Sequence, residues 1–154
     1  MEIINNYPLI CAVTAWLSAQ LIKFAIVSIR GQKFNFVVLL QSGGMPSSHT
    51  ATVCSLAVSV GFQQGFASEV FAISAILSFI VMYDAAGVRR AAGEQAKRIN
   101  MLTQEWDDSE YETPEQLKER LGHTPLEVLG GALLGILIPI ILYKCTIVTV
   151  SPRF

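Results

Sequence analysis

The chain has 154 residues, of which 52% are hydrophobic and only 15% are charged, and its net charge at neutral pH is −1. Soluble domains carry about 25% charged residues, so the composition argues against an ordinary soluble protein. The net charge argues against a nucleic-acid-binding protein. We therefore predict a single membrane domain, residues 1–154, that lies in the lipid bilayer of the cell membrane.

Four apolar runs have lengths suited to helices that cross a bilayer, at residues 7–29, 46–62, 66–83 and 125–143. The run 46–62 is short for a bilayer, so we expect its helix to begin below the membrane surface. A backbone in lipid must satisfy its own hydrogen bonds. The runs therefore predict an all-α, multi-pass helical bundle without a sheet. The first run has no basic residue ahead of it, and we expect it to be retained as a span.

A polar segment, residues 84–122, separates the third and fourth runs. Its first part, through Leu102, has a helical pattern, and residues 114–121 resemble a short second helix. An acidic patch, residues 105–112, lies between the two. We interpret this patch as a solvated loop, and the alternative is a docking site for a cation or a partner protein.

Three cysteines are scattered through the apolar runs, at Cys11, Cys54 and Cys145. Their spacing matches neither a metal site nor a disulfide framework. We interpret them as small hydrophobic residues that are buried in the bundle.

With four spans, the ends of the first and third and the starts of the second and fourth face the same side of the membrane. That side collects most groups capable of acid–base or phosphate chemistry: Lys23, Arg30, Lys33, His49, Asp84, Arg89, Arg90 and His123. Such convergence at helix ends predicts a functional site, and the basic residues place it on the cytoplasmic side. In the simpler alternative, Lys23 snorkels to the surface, Asp84 pairs with a neighbouring arginine, and the arginines only set the orientation.

Residues 43–50, with the sequence G-G-M-P-S-S-H-T, lie directly before the second span. Pro46 favours a helix start, and Ser47 and Ser48 can cap it. His49 then falls in the first turn, where backbone N–H groups and the helix dipole attract anions. The stretch predicts a phosphate site, or alternatively an ordinary N-cap with an incidental histidine.

Two further pairs of residues extend this pattern. Lys23 and Arg30 are separated by six residues, which places them on one helical face about two turns apart. His123 and Glu127 have the i,i+4 spacing of neighbours on a helix. The Glu127 carboxylate could then accept a hydrogen bond from one ring nitrogen of His123 and leave the other nitrogen as a nucleophile.

In this order the motifs K-x6-R, P-S-S-H and H-x3-E resemble those of the type 2 phosphatidic-acid phosphatase superfamily, which includes the vanadium haloperoxidases. The superfamily motifs are K-x6-R-P, P-S-G-H and S-R-x5-H-x3-D. The resemblance extends from Lys23 to Gly131 and looks closest for a small, divergent branch. The segment Y-D-A-A-G-V-R-R, residues 83–90, is typical of that branch.

The resemblance implies a phosphatase that hydrolyses a lipid phosphate or pyrophosphate without metal or cofactor. His123 would be the nucleophile that forms a phosphohistidine, Glu127 would orient it, and His49 would be the general acid. We therefore expect the two imidazoles within about 10 Å of each other. The phosphate oxygens would be held by four further residues, together with backbone amides: Lys23, Arg30, Ser47 and Ser48.

The chain also departs from the superfamily pattern. Gly31 stands in place of the first motif's proline, Ser48 in place of a glycine, and Glu127 in place of the aspartate. The arginine of the third motif falls on Leu117, and we expect Arg89 or Arg90 to supply the missing guanidinium.

Two alternatives to an enzyme remain open at this point. One is a non-catalytic member of the fold that binds or helps to transport a phospholipid headgroup. The other is a structural membrane protein whose acidic segment docks a partner. A bundle of four short spans exposes much surface to lipid, which makes a homodimer a reasonable expectation.

Overall fold

The computed structural model describes residues 5–29, 44–104, 117 and 122–147. These residues form helices and turns and contain no strand, which confirms the predicted all-α bundle. The helices are α1 (Tyr7–Ile29), α2 (Ser48–Gln64), α3 (Glu69–Tyr83), α4 (Arg89–Gln104) and α5 (Pro125–Ile147), and a π-helical turn (Asp84–Val88) joins α3 to α4. Arg30, the acidic patch and the predicted helix 114–121, apart from residue 117, lie outside the described residues.

Three helical segments in this part of the chain are long and apolar enough to cross a membrane: Tyr7–Ile29, Glu69–Thr103 and Pro125–Cys145. Helix α1 has the predicted bounds. The third run does not end as a helix at Tyr83, because the π turn continues it into α4. Helix α2 has 17 residues and is about 26 Å long, shorter than the bilayer core, as expected for a helix that begins below the surface.

Helix α2 lies at the centre of the bundle, where it packs against α1, α3 and α5. Its Ala51 forms a buried core with Ala15 and Ala19 of α1. On another side, a Cβ added to Gly135 of α5 would lie 2.8 Å from the Cβ of Cys54. Small residues let helix backbones approach closely, which matters in lipid because no hydrophobic effect drives helices together there.

Large apolar side chains cover the outside of the bundle. On α3, Ile73 and Ile76 are 70% and 61% exposed, whereas the buried residues are Ser74 and Ser78. The Ser78 hydroxyl donates to the carbonyl oxygen of Val53 at 2.7 Å and so links α3 to α2. Helix α3 thus turns small polar residues toward the protein and large apolar residues outward, which suits a helix surrounded by lipid.

Helix α2 begins at Ser48, two residues after the start predicted from Pro46. Ser47 is the N-cap, and its hydroxyl accepts a hydrogen bond from the Thr50 backbone N–H at 3.4 Å. Pro46 therefore precedes the cap and is not the first helical residue. The predicted place of His49 in the first turn is confirmed.

Candidate functional site

The predicted convergence of helix ends is confirmed at one end of the bundle. The Ser47 N–H donates to the carbonyl oxygen of Glu127 at 2.9 Å, and the His123 N–H donates to that of Ala85 at 3.0 Å. The first bond joins the start of α2 to the first turn of α5. The second joins the residues before α5 to the π turn. Three segments that are distant in sequence therefore meet at one place.

The imidazoles of His49 and His123 face each other at this end, as predicted. Their centroids are 6.4 Å apart, and the planes cross at 78°. His123 is 3% exposed, and neither of its ring nitrogens has a hydrogen-bond partner among the described residues, whereas His49 is exposed. Buried polar atoms without partners are rare in folded proteins, so the pair is an arrangement that a polar ligand would complete.

Lys23 provides a buried positive charge next to the histidines. Its side chain is 6% exposed, and Nζ donates to the Ser48 hydroxyl at 3.5 Å. The ammonium is thus held against the start of α2 and does not snorkel to the surface. Glu127 is close enough to interact with it electrostatically. Ionisable groups in membrane helices are costly and usually functional, so this burial favours the phosphate-binding interpretation.

The two serines of the motif have different surroundings. Ser47 is fully buried, and its hydroxyl accepts a bond from the Thr50 hydroxyl at 3.0 Å in addition to the capping bond. The Ser48 hydroxyl contacts Lys23 instead. An anion at this helix start would meet the Lys23 ammonium, the Ser48 hydroxyl and the backbone N–H groups of the first turn. The Ser47 oxygen accepts both bonds and so fixes the loop, and its predicted contact with a phosphate stays a prediction.

The predicted hydrogen bond between His123 and Glu127 is not formed. Helix α5 begins at Pro125, so His123 precedes the helix and the i,i+4 argument does not apply. The Glu127 carboxylate accepts the Thr124 backbone N–H at 3.0 Å, and the Thr124 hydroxyl accepts the Glu127 N–H at 3.3 Å. This is a capping box, and its signature is the sequence T-P-L-E, with Thr124 as the N-cap and Glu127 three residues later. Glu127 therefore fixes the turn that carries His123.

The two candidate arginines lie at the start of α4 in different surroundings. Arg89 Nε donates to Asp84 Oδ2 at 2.6 Å, whereas Arg90 Nε donates to Glu94 Oε1 at 3.3 Å, farther along the helix. The positive charge of Arg89 makes a small contribution to lowering the pKa of His123. Arg89 therefore lies at the same end of the bundle as the histidines and pairs with Asp84, whereas Arg90 pairs with Glu94.

Leu117 occupies the position of the third-motif arginine, and its backbone is held by Asn100 of α4. The Asn100 amide group donates to the Leu117 carbonyl oxygen at 2.8 Å, and the Leu117 N–H donates to the Asn100 side-chain oxygen at 2.8 Å. Asn100 lies about 16 Å along the helix axis beyond Arg89. The motif position is thus anchored far along α4 and contributes no cation to the histidine pair.

Burial lowers the pKa of His123, and the positive charge of Lys23 lowers it further, while the Glu127 carboxylate opposes the shift. His49 and Arg89 add smaller contributions that also lower this pKa. The ring is therefore neutral at neutral pH, which is the state that a nucleophilic imidazole requires.

The donor set of the site matches an oxyanion. It combines an ammonium, a hydroxyl, a guanidinium, helix N–H groups and two imidazoles, all of which can donate hydrogen bonds. Clusters of three or more His, Cys, Asp or Glu side chains that could hold a metal ion are not found in the described ranges.

Comparison with known proteins identifies a family and one curated relative. Residues 4–138 match the divergent PAP2 family. The chain is 42% identical to YuiD, an uncharacterised membrane protein of Bacillus subtilis (strain 168), in an alignment that covers 92% of this chain and 97% of that protein. No solved structure matches the chain. Because the family match covers most of its length, the chain belongs to the divergent PAP2 family.

Proposed function

We propose that this protein is a membrane-embedded phosphatase that hydrolyses a lipid phosphate or pyrophosphate through a phosphohistidine, without a metal or other cofactor. The observation that carries the proposal is the pair of imidazoles, His49 and His123, 6.4 Å apart beside the buried ammonium of Lys23. Two imidazoles can divide the roles of nucleophile and general acid. The ammonium and the helix start would neutralise the phosphate charge.

In the proposed first step, a neutral ring nitrogen of His123 attacks the phosphorus atom. The bond from phosphorus to the leaving oxygen breaks as the N–P bond forms, and the imidazolium of His49 gives its proton to that oxygen. In the second step, water attacks the phosphorus atom and His49 takes its proton. The N–P bond then breaks, which releases phosphate and restores His123.

The non-bridging oxygens need donors on several sides. Lys23, Ser48 and the first-turn N–H groups of α2 form one side, and the Arg89 guanidinium would approach from the start of α4. Ser47 and Glu127 contribute by fixing the two turns that carry the histidines.

The position of the site suggests a lipid substrate. It lies where helices long enough to cross a membrane begin and end, so a phosphate headgroup could reach it while the acyl chains stay in the bilayer. The large apolar side chains outside α3 suit that lipid environment. The basic residues around this end favour the cytoplasmic side.

The test is phosphate release by the purified protein from a panel of lipid monophosphates and pyrophosphates, for the wild type and His123→Ala. Arg98→Ala, an exposed arginine of α4, is the matched control. We expect release by the wild type and the control, and none above background with His123→Ala. Phosphorus-32 should label the wild type in an acid-labile form. Release that survives His123→Ala would refute the phosphohistidine.

A non-catalytic headgroup-binding protein is the second candidate, and one observation favours it. The third-motif position is Leu117, anchored along α4, and Arg89 is already paired with Asp84. A site with fewer guanidinium contacts could bind a phosphate without stabilising the transition state. Tight lipid phosphate binding without release from any substrate would favour this candidate.

A further inference from the structure

The connection between α3 and α4 contains one π-helical turn, Asp84–Val88. Within it, the Arg89 backbone N–H donates to the carbonyl oxygen of Asp84, whereas in an α-helix it would donate to Ala85. The Ala85 carbonyl oxygen is thereby available to accept the His123 N–H at 3.0 Å. Such turns occur frequently at functional sites, and this one fixes the backbone of the proposed nucleophile.

The same turn brings two charged side chains together. In an α-helix, residues five apart are separated by about 140° around the axis and do not face each other. In the wider π turn, Asp84 and Arg89 lie on one face, and Arg89 Nε contacts Asp84 Oδ2 at 2.6 Å. This contact uses Nε, so both Nη groups of the guanidinium can donate to the oxygens of an anion.

The start of α4 also packs directly against the turn that carries His123. A Cβ added to Gly122 would meet the peptide bond that joins Arg89 to Arg90, nearest to the Arg90 nitrogen and 2.7 Å from the Arg89 carbonyl carbon. Gly122 has a φ of +91°, a conformation that favours glycine. The close approach and the backbone conformation both require glycine, and they set the backbone of Arg89 and Arg90 beside the turn that carries His123.

We infer that Asp84 is a positioning residue that orients Arg89 as the phosphate-binding guanidinium of the site, in place of the arginine missing at Leu117. The inference rests on the proposed function, because it identifies the guanidinium that completes the proposed phosphate site. A guanidinium can bridge two phosphate oxygens, which the single ammonium of Lys23 cannot do with the same geometry. The Asp84–Arg89 pair is partly exposed, and exposed ion pairs add little stability, so its loss should impair phosphate handling more than folding.

A double-mutant cycle on the full chain tests this inference, with Asp84→Asn, Arg89→Ala and the double variant. The measurements are kcat and KM for phosphate release from dioleoyl phosphatidic acid, and the affinity for orthovanadate by calorimetry. We expect Arg89→Ala to lower kcat/KM about 100-fold and Asp84→Asn about tenfold. The double variant should be no worse than Arg89→Ala, because Asp84 acts through that side chain.

Conservative and control variants separate positioning from general damage. Asp84→Glu should recover part of the loss caused by Asp84→Asn, and Arg89→Lys part of that caused by Arg89→Ala. Arg98→Ala should keep wild-type values. All variants should unfold at temperatures close to that of the wild type, since the pair is partly exposed.

The outcomes distinguish this inference from the proposed function. An active wild type whose Arg89→Ala variant keeps full activity overturns the inference and leaves the phosphatase intact. The inference is also overturned if Asp84→Asn lowers kcat/KM by the same factor in the wild type and in the Arg89→Ala variant. If the wild type binds orthovanadate but releases no phosphate, the proposed phosphatase activity is wrong. The inference then stands only if Asp84→Asn and Arg89→Ala each weaken orthovanadate binding and the double variant weakens it less than the sum of the two losses. A wild type that neither hydrolyses nor binds overturns both.

Discussion

Helices α2 and α3 follow each other in the chain and pack together, yet they bury very different shares of their residues. Helix α2 buries nine of its 17 residues, most of them small, whereas the buried residues of α3 are two serines. The large side chains of α3 face outward. In lipid, an apolar face that points outward costs no free energy. The residues of α2 are therefore selected by packing against other helices, and most residues of α3 by contact with lipid.

This difference explains why the candidate site lies at the start of α2. Because α2 contacts α1, α3 and α5, its first turn is reached by side chains from several elements. There Lys23 of α1 contacts Ser48, and His123, which precedes α5, faces His49. Substitutions on α2 or against it should therefore have large effects, and substitutions on the outer face of α3 small ones.

Among the substitutions that compare α2 with α3, the largest effect is expected for His49→Ala, at the start of α2. Loss of a general acid should lower kcat for a lipid monophosphate by about 10²- to 10⁴-fold. A substrate whose leaving group has a low pKa should recover much of the rate, because its oxygen needs no proton. Comparing the two substrates measures this, and equal losses for both would contradict the role of His49.

Gly135→Leu tests the packing against α2. Its Cβ would approach the Ala51 carbonyl oxygen to 2.6 Å and the Cys54 Cβ to 2.8 Å, so we expect the free energy of unfolding to fall by about 1–3 kcal/mol or more. Denaturant unfolding in detergent measures it. Leu133→Ala, on the exposed side of the same helix, should change this value by less than about 0.5 kcal/mol. A similar loss of stability in both variants would show that the close contact between α5 and α2 at Gly135 does not require a small residue.

Lys23→Met tests whether the buried charge serves a ligand. We expect orthovanadate binding to weaken about tenfold or more, because a charge-assisted contact is lost. The unfolding temperature should stay equal or rise, since a buried ammonium costs desolvation energy. Lys97→Met, at an exposed position of α4, should change neither value. A lower unfolding temperature with unchanged binding would make Lys23 a structural residue.

The pH dependence of phosphate release tests the buried imidazole of His123. Because burial lowers its pKa, the acid limb of kcat/KM should lie below pH 6.5, with a tenfold loss per pH unit below that pKa. Stability should also fall as the pH drops below about 6.5, where the unfolded imidazole takes up a proton and the buried one resists it. An acid limb above pH 6.5 would contradict a desolvated nucleophile.

The smallest effect is expected for Ile76→Ala, on the outer face of α3. This side chain is 61% exposed, and lipid can replace the missing atoms, so the free energy of unfolding should change by less than about 0.5 kcal/mol. Detergent unfolding and sedimentation would measure stability and oligomeric state. A large loss together with dissociation would instead place the proposed homodimer interface on this face.

The sequence by itself determined the helical class, the bounds of α1 and the meeting of the histidines. Long apolar runs must form helices in lipid, and successive crossings return alternate helix ends to the same side. That alternation was sufficient to bring His49 and His123 together at one end, although they are far apart in the chain. It required no knowledge of side-chain contacts.

Only the tertiary structure decided which neighbours each polar side chain has. Glu127 caps α5 and does not bond His123, because the helix begins two residues after the histidine. The π turn pairs Asp84 with Arg89 and leaves Arg90 with Glu94. These outcomes depend on where a helix starts and on one extra residue within a turn. Such details arise from contacts between distant segments, which the periodicity of a sequence does not record.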